Sequence, residues 1–266
     1  MGNSKSSKSN LSSVFALALI VGGLVAAHLI FHLVFGHASH FDAKGEPLPG
    51  DYLGIVYKGG FVVPILLSFL IIVIGASIER GISLSSAFGN GSLGAFVANV
   101  KAKLAANDIK GAIDECNKQK GSVGNVTLEV LKRYDIVAND PNLSKDKKLD
   151  ALQKEVEEAT MLELPGLEKN LTIISTLASV ATLFALLGTV IGMIKAFAAL
   201  ATTGSPDPAA LANGISEALV NTAVGIFTSA VAIVAYNFFT SKIDDLTHQI
   251  DEIGFAIRQH FIANGK

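Results

Sequence analysis

Tryptophan is absent from the 266 residues, cysteine occurs once, and charged residues make up only 17% of the chain. The lone Cys116 excludes an internal disulfide and any cysteine-based zinc site. Charge this sparse, against ~25% in soluble domains, argues against a soluble globular domain. A 50% hydrophobic content argues against a disordered chain. A net charge of -2 supplies no global basic field for nucleic acid. A Walker Gly-Lys-Ser/Thr loop, a nucleophile elbow and a His-Glu-x-x-His pair are all missing, so nothing supports an enzyme or a bound cofactor.

What is present is long apolar runs and a mean hydropathy of +0.48. A spanning helix needs about 20 mainly apolar residues. Four stretches qualify: residues 14–35, without any charge; 60–78, stopping at Glu79-Arg80; 171–201, with Lys195 alone; and 211–239, with Glu217 alone. The first has lysines ahead of it and a small-x-small tripeptide, Gly36-His37-Ala38, behind it, as a signal peptide would. Its apolar run exceeds the ~7–15 residues of a signal-peptide core, which favours a retained anchor.

Thirteen of the 21 lysines and arginines lie between Arg80 and Lys169, and Lys5, Lys8 and Lys242 flank the other ends. The 37–59 connection holds only Lys44 and Lys58, and the 202–210 turn holds none. Positive-inside then predicts a cytoplasmic N-terminus, C-terminus and 79–169 region. The expected organisation is a tail and anchor over 1–36, a periplasmic connection over 37–59, a span over 60–78, a cytoplasmic helical domain over 79–169, a transmembrane hairpin over 170–240 and a cytoplasmic C-terminal helix over 241–266. The fold class is therefore an all-α membrane protein with four transmembrane helices, the long last two extending into a helical cytoplasmic domain.

Helical spacing recurs in the charged region. Phe96, Val97, Val100 and Leu104 share a face. Asn107 or Asp108 can cap the next helix, and another runs from about Val126 to Tyr134. Ser144 can cap a helix carrying Leu149, Leu152, Val156 and Ala159, which Pro165-Gly166 is expected to interrupt or kink. After the fourth span, Ile243, Leu246, Ile250, Ile253 and Ile257 form a 3-4-3-4 seam suited to packing between subunits or onto the cytoplasmic helices.

The last two spans, joined by a short turn, run antiparallel, so residues at one depth have a nearly constant index sum. Thr189 lies 12 residues before Ala201 and Thr222 12 after Ala210. Both sit about 18 Å from the turn at 1.5 Å per residue. The same rule pairs Lys195 with Glu217, Thr182 with Ser229 and Ser175 with Tyr236. Thr172, Ser175 or Thr176, Ser179, Thr182 and Thr189 form one stripe; Thr222, Gly225, Ser229, Ala232 and Tyr236 form another. Such stripes line a narrow aqueous path or permit close packing, for which Gly188 and Gly192 are suited. Lys195 and Glu217 fit a register-fixing ion pair or polar groups of a pore. Neither span offers a carboxylate at its centre, and threonine does not change charge near neutral pH. If protons cross here, a titratable carrier must come from elsewhere, which points to a partner protein. His28 and His32 share a helix face near His37 and His40, but no third ligand completes a metal site.

Leu187-Gly188-Thr189-Val190-Ile191-Gly192-Met193, followed by Gly214-Ile215-Ser216-Glu217-Ala218-Leu219 and Asn221-Thr222-Ala223-Val224-Gly225, resembles the MotA/TolQ/ExbB proton-channel family, with ExbB the closest subtype. Glu163-Leu164-Pro165-Gly166-Leu167-Glu168 and Gly59-Gly60-Phe61-Val62-Val63-Pro64-Ile65 also match. The resemblance spans residues 58–260. It implies an inner-membrane subunit, pentameric around a dimer of a single-span ExbD/TolR-like partner whose membrane Asp carries the proton, with a TonB-like protein as client. It also implies that Thr189 and Thr222 are pore threonines and Glu217 a pore glutamate. The span at 14–35 departs from the three-span pattern common in ExbB-like proteins. A solute transporter or a structural scaffold is the competing class; Pro64 is the only proline inside a span, a poor signal for the broken helices of transporters.

Overall fold

The computed structural model describes residues 3–201 and 207–264, with side chains from residue 14 onward. The side chains of Lys5 and Lys8 and residues 202–206 of the expected turn lie outside the described residues. The described chain is helical: α1 (Asn3–Leu29), α2 (Tyr52–Tyr57), α3 (Val62–Phe88), α4 (Leu93–Ala105), α5 (Ile109–Gln119), α6 (Ser122–Ala138), α7 (Lys145–Leu167), α8 (Leu171–Ala201) and α9 (Pro208–Asn264). A π-helical turn, Ile30–Phe35, extends α1. An isolated Phe41–Pro47 bridge is the one β pairing among the described residues. Four helices are long and apolar enough to cross a membrane.

The chain divides into two compact units, Met1–Ile78 with Asn170–Asn237, and Glu79–Lys169 with Phe238–Lys266. α3 and α9 contribute to both. The apolar run ending at residue 78 is thus not the end of its helix, which continues for ten more residues. The C-terminal segment after residue 240 is likewise the uninterrupted continuation of α9.

In the first unit, α8 and α9 meet through small residues. A Cβ on Gly192 would lie 2.7 Å from Ala218 N, one on Gly214 2.7 Å from Ala196 N, and one on Gly225 only 2.1 Å from Ala185 Cβ. Backbones this close exclude larger side chains. α1 is packed on α3 in the same way: a Cβ on Gly23 would meet Ile72 at 2.7 Å, and one on Gly75 would meet Leu19 at 2.5 Å. The outer surface is apolar, with Leu183, Phe197, Phe227 and Val234 all exposed. In the connection, Asp51 caps α2 by accepting from the Leu53 and Gly54 amides. The His40 ring 2.7 Å away, and then the Gly54 amide, hold its carboxyl below the usual range.

The second unit is built on large aliphatic side chains. α4 buries Phe96, Val97, Val100 and Leu104. Asp108, rather than Asn107, caps α5 by accepting from Gly111 N. α6 runs one turn past the expected end at Tyr134, to Ala138, because Val137 also finds a buried position. Nor does Pro165 interrupt α7, which continues to Leu167. Pro165 removes the bond its own backbone N–H would make, and the helix runs on for two residues beyond it. Arg80, 1% exposed, donates to the carbonyls of Gly166 and Leu167 and so serves the terminal carbonyls of α7. The seam Ile243, Leu246, Ile250, Ile253 and Ile257 is buried inside the single chain. A Cβ on Gly254 would touch Val156 of α7 at 3.0 Å, and Phe261 packs edge-on against Tyr134 of α6. Of the two settings open to this seam, the structure assigns it the chain's own helices.

Candidate functional site

The α8–α9 approach brings Thr189 and Thr222 together. Their Oγ1 atoms are 2.5 Å apart, and both side chains are half-buried. Their other hydrogen-bond partners among the described residues are helix carbonyls: Thr189 Oγ1 is 3.0 Å from Ala185 O and 3.3 Å from Ala218 O, and Thr222 Oγ1 is 3.1 Å from Ala218 O. Each hydroxyl has one proton and two lone pairs. The pair can therefore be ordered in two directions. In one, Thr189 donates to Thr222, which donates to Ala218 O. In the other, Thr222 donates to Thr189, which donates to Ala185 O. Reversal turns both hydroxyls and exchanges one carbonyl acceptor for the other; a proton passed through the pair enters at one hydroxyl as another leaves the second, so a donor and an acceptor outside the pair are required.

Nearer the turn, Lys195 Nζ donates to both carboxylate oxygens of Glu217, at 2.6 and 2.8 Å. The two side chains are unequally buried, Lys195 being 51% exposed and Glu217 10%. The reason lies in the turn before α3. Gly60 has φ +76°, and a Cβ there would be 2.6 Å from Glu217 Oε1. Positive φ and this contact both require glycine. Lys195 Nζ also stands 6.0 Å from the centre of the Phe61 ring. Glu217 is thus clamped between α8 and the entry to α3, as a register-fixing ion pair would be.

Thr182 and Ser229, placed at one depth by the index sum, make no hydrogen bond to each other among the described residues. Thr182 is exposed, and Ser229 donates instead to Ala178 O at 2.5 Å. Thr172, Thr176 and Ser179 are exposed with it. The face of α8 that meets α9 carries Ala178, Ala181, Ala185, Gly188 and Gly192. Thr182 lies seven residues from Thr189, within about 20° of the same helical phase, yet Ser229 meets the small-residue row of α8 at Ala178 and leaves Thr182 exposed. Gly188, Gly192 and Gly225 serve close packing: a Cβ on Gly188 would strike Asn221 at 2.7 Å. Sequence reasoning overlooked Gly60, Asn221 and Arg80. Asn221 had a signal, a carboxamide within an apolar run; Gly60 had one only as half of Gly59-Gly60.

His28 and His32 rings are 4.4 Å apart, and among the described residues no group of three or more His, Cys, Asp or Glu gathers as a metal site would require. Cys116 is buried in α5, and burial pushes its thiol up to about 12, the opposite of a reactive cysteine.

The MotA/TolQ/ExbB proton channel family model matches residues 126–252. The Tol-Pal system protein TolQ of Pseudomonas aeruginosa is 31% identical over 112 residues, 42% of this chain and 48% of that protein. The biopolymer transport protein ExbB of Xanthomonas campestris is 30% identical over 115 residues, 43% of this chain and 46% of that one. A putative biopolymer transport protein ExbB homolog of Methanothermobacter thermautotrophicus is 30% identical over 158 residues, 57% of this chain and 53% of that one. The chain spans about half the length of these relatives. TolQ and ExbB proteins both appear among them, so the similarity does not single out the ExbB subtype expected from the motifs.

Proposed function

We propose that this chain, a member of the MotA/TolQ/ExbB proton-channel family, is the channel subunit of an ExbB/ExbD-type motor that uses the proton motive force to energise TonB-dependent outer-membrane transport. Family members conduct ions and are not enzymes. The observation that carries the reading is the threonine pair, a reversible hydrogen-bond chain at membrane depth with no carboxylate of its own hairpin beside it. Such a chain needs a carrier that titrates. A single-span ExbD/TolR-like partner with one membrane Asp meets that need, enclosed by a homopentamer of this subunit in the lipid bilayer. Glu217 and Lys195 then hold the α8–α9 register at the outer end of the path, and Ser229 anchors the inner end through Ala178 O. Thr182 is exposed on the single chain, where a neighbouring subunit or lipid would meet it. The similarity to TolQ supports a second reading, the same motor serving a Tol-type envelope system.

Thr189→Val and Thr222→Val keep the shape and remove the hydroxyls. With the partner in reconstituted vesicles, the double variant should keep its oligomer mass and lose proton flux by about tenfold or more, roughly 1.4 kcal/mol of barrier. Normal flux would reject the relay. The proposed orientation has both termini and residues 79–169 in the cytoplasm and Asp207 outside. Impermeant thiol reagents applied from outside should label a cysteine at Asp207 and spare one at Lys145. The native Cys116, buried and un-ionised, gives no background.

A further inference from the structure

Within the first unit one side chain is out of keeping with its surroundings. Asn221 is 0% exposed, and neither Oδ1 nor Nδ2 has a hydrogen-bond partner among the described residues. The other buried polar side chains of this unit are satisfied locally. Ser68 donates to Ile65 O, Thr228 to Val224 O and Ser229 to Ala178 O, while Glu217 holds Lys195. A hydroxyl can always turn back to a carbonyl of its own helix; a carboxamide, with two donors and an acceptor, cannot.

Geometry gives the amide a definite seat. It lies flat on the α-carbon of Gly188, where a Cβ would be 2.7 Å from Asn221 Cγ and 2.8 Å from Nδ2. Ala185 and Ile191 of α8 and Val224 of α9, on either side of this layer, pack with Val62 and Leu66 of α3. The surroundings are apolar, and leucine would fill the same shape at no polar cost. Because Asn221 is sealed within one chain, neither a second subunit nor a partner helix reaches it. A buried water is the partner that would satisfy such a group from inside the subunit.

We propose that Asn221 is a positioning residue of the proton path, its carboxamide holding an internal water that hydrates the Thr189–Thr222 pair from inside the subunit. The proposal rests on the threonine relay. Asn221 precedes Thr222, and Gly188 precedes Thr189, so amide and hydroxyls occupy successive layers of one interface. When the hydroxyl chain reverses, each oxygen exchanges a donor for an acceptor. A water anchored by the carboxamide both donates and accepts, so the chain can reverse without an oxygen left bare.

The test uses the full-length chain in lipid, with asparagine side-chain nitrogens labelled. Water-to-amide magnetisation transfer in solid-state NMR should reach Nδ2 of Asn221, identified by the signal that disappears in Asn221→Leu. That variant should retain its oligomer mass and thermal midpoint, yet lose proton flux about tenfold in vesicles with the partner. Asn221→Ser, which keeps a polar anchor and leaves room for water, should recover at least half of the flux. If leucine does not fit, Asn221→Ala, which only removes atoms, takes its place. A dry amide overturns the proposal, as does full flux in the leucine or alanine variant. Flux lost in the threonine variants but full in Asn221→Leu removes Asn221 alone. Flux retained in the threonine double variant removes the relay and the role of Asn221 together, whatever the NMR signal.

Discussion

The two stretches of α9 bury different things at the same spacing. Within the first unit its buried positions include Gly214, Ala218, Asn221, Gly225, Thr228 and Ala232; within the second they include Phe239, Ile243, Leu246, Ile250, Ile253 and Ile257. Both series advance by three and four residues, as one face of a helix must. What differs is the solvent each unit is built for. In water, burying aliphatic area contributes about 25 cal/mol per Å², so large side chains make the seam. In lipid that term vanishes, and close backbone approach and polar contacts replace it. The outer surfaces invert accordingly. The first unit exposes Leu183, Phe197 and Val234, whereas the second exposes ion pairs such as Lys132–Glu129 and Lys154–Glu158.

The sharpest way to break this contrast is to charge the aliphatic seam. Ile250→Asp discards the ~2–5 kcal/mol of a buried isoleucine and adds the burial of an unpaired carboxyl. The seam is sealed within one chain, so the expected outcome is unfolding of the second unit, seen as rapid proteolysis between residues 79 and 169. Dissociation into intact, protease-resistant subunits would instead make this stripe an interface between copies.

Glycine offers a smaller and two-sided test. Gly225→Ala places a Cβ 2.1 Å from Ala185 Cβ and 3.0 Å from Ala181 O, so α8 and α9 must separate. Overpacking of this kind costs about 1–3 kcal/mol. Gly81, in the part of α3 that belongs to the second unit, has nothing within 4 Å of its would-be Cβ. Gly81→Ala should stabilise by about 0.4–1 kcal/mol through the unfolded chain. Thermal midpoints moving in opposite directions would sustain the difference between the units; equal shifts would remove it.

How much of this was legible follows from the same contrast. The spans, the α4 face and the C-terminal seam were visible because apolar periodicity is written along one segment. The Thr189–Thr222 and Lys195–Glu217 pairs were visible because a short turn converts index sums into depth. Thr182 and Ser229 share the index sum and nearly the phase of Thr189 and Thr222, and neither pattern announces that Ser229 donates to Ala178 O instead. Gly60 and Arg80 were out of reach: the first answers to Glu217 and the second to the carbonyls of Gly166 and Leu167, partners 157 and 86 to 87 residues away that no local pattern announces.

The smallest expected effect is a pH slope confined to the second unit. His260 is 7% exposed, with Nδ1 3.0 Å from the Tyr134 hydroxyl and Nε2 unpaired among the described residues. Burial lowers its affinity for protons, and burial likewise raises that of Tyr134, which stays a phenol able to donate to Nδ1. A depressed histidine binds fewer protons folded than unfolded, so stability rises with pH. Its contribution is complete above the ordinary value of about 6.5 and is lost as pH falls through that value toward the folded one. The lowered carboxyls of Asp108, held by Gly111 N and Lys103, of Glu115, held by Lys118, and of Glu252, held by Lys101, follow a separate window. Their stabilisation persists down to about pH 4 and is lost only below it. Between pH 7.5 and 5.5 the thermal midpoint should therefore decline in the native chain and decline less in His260→Leu, whose other titrating groups are the same. Parallel slopes for the two proteins would mean that His260 takes up its proton as readily in the folded core as in the unfolded chain.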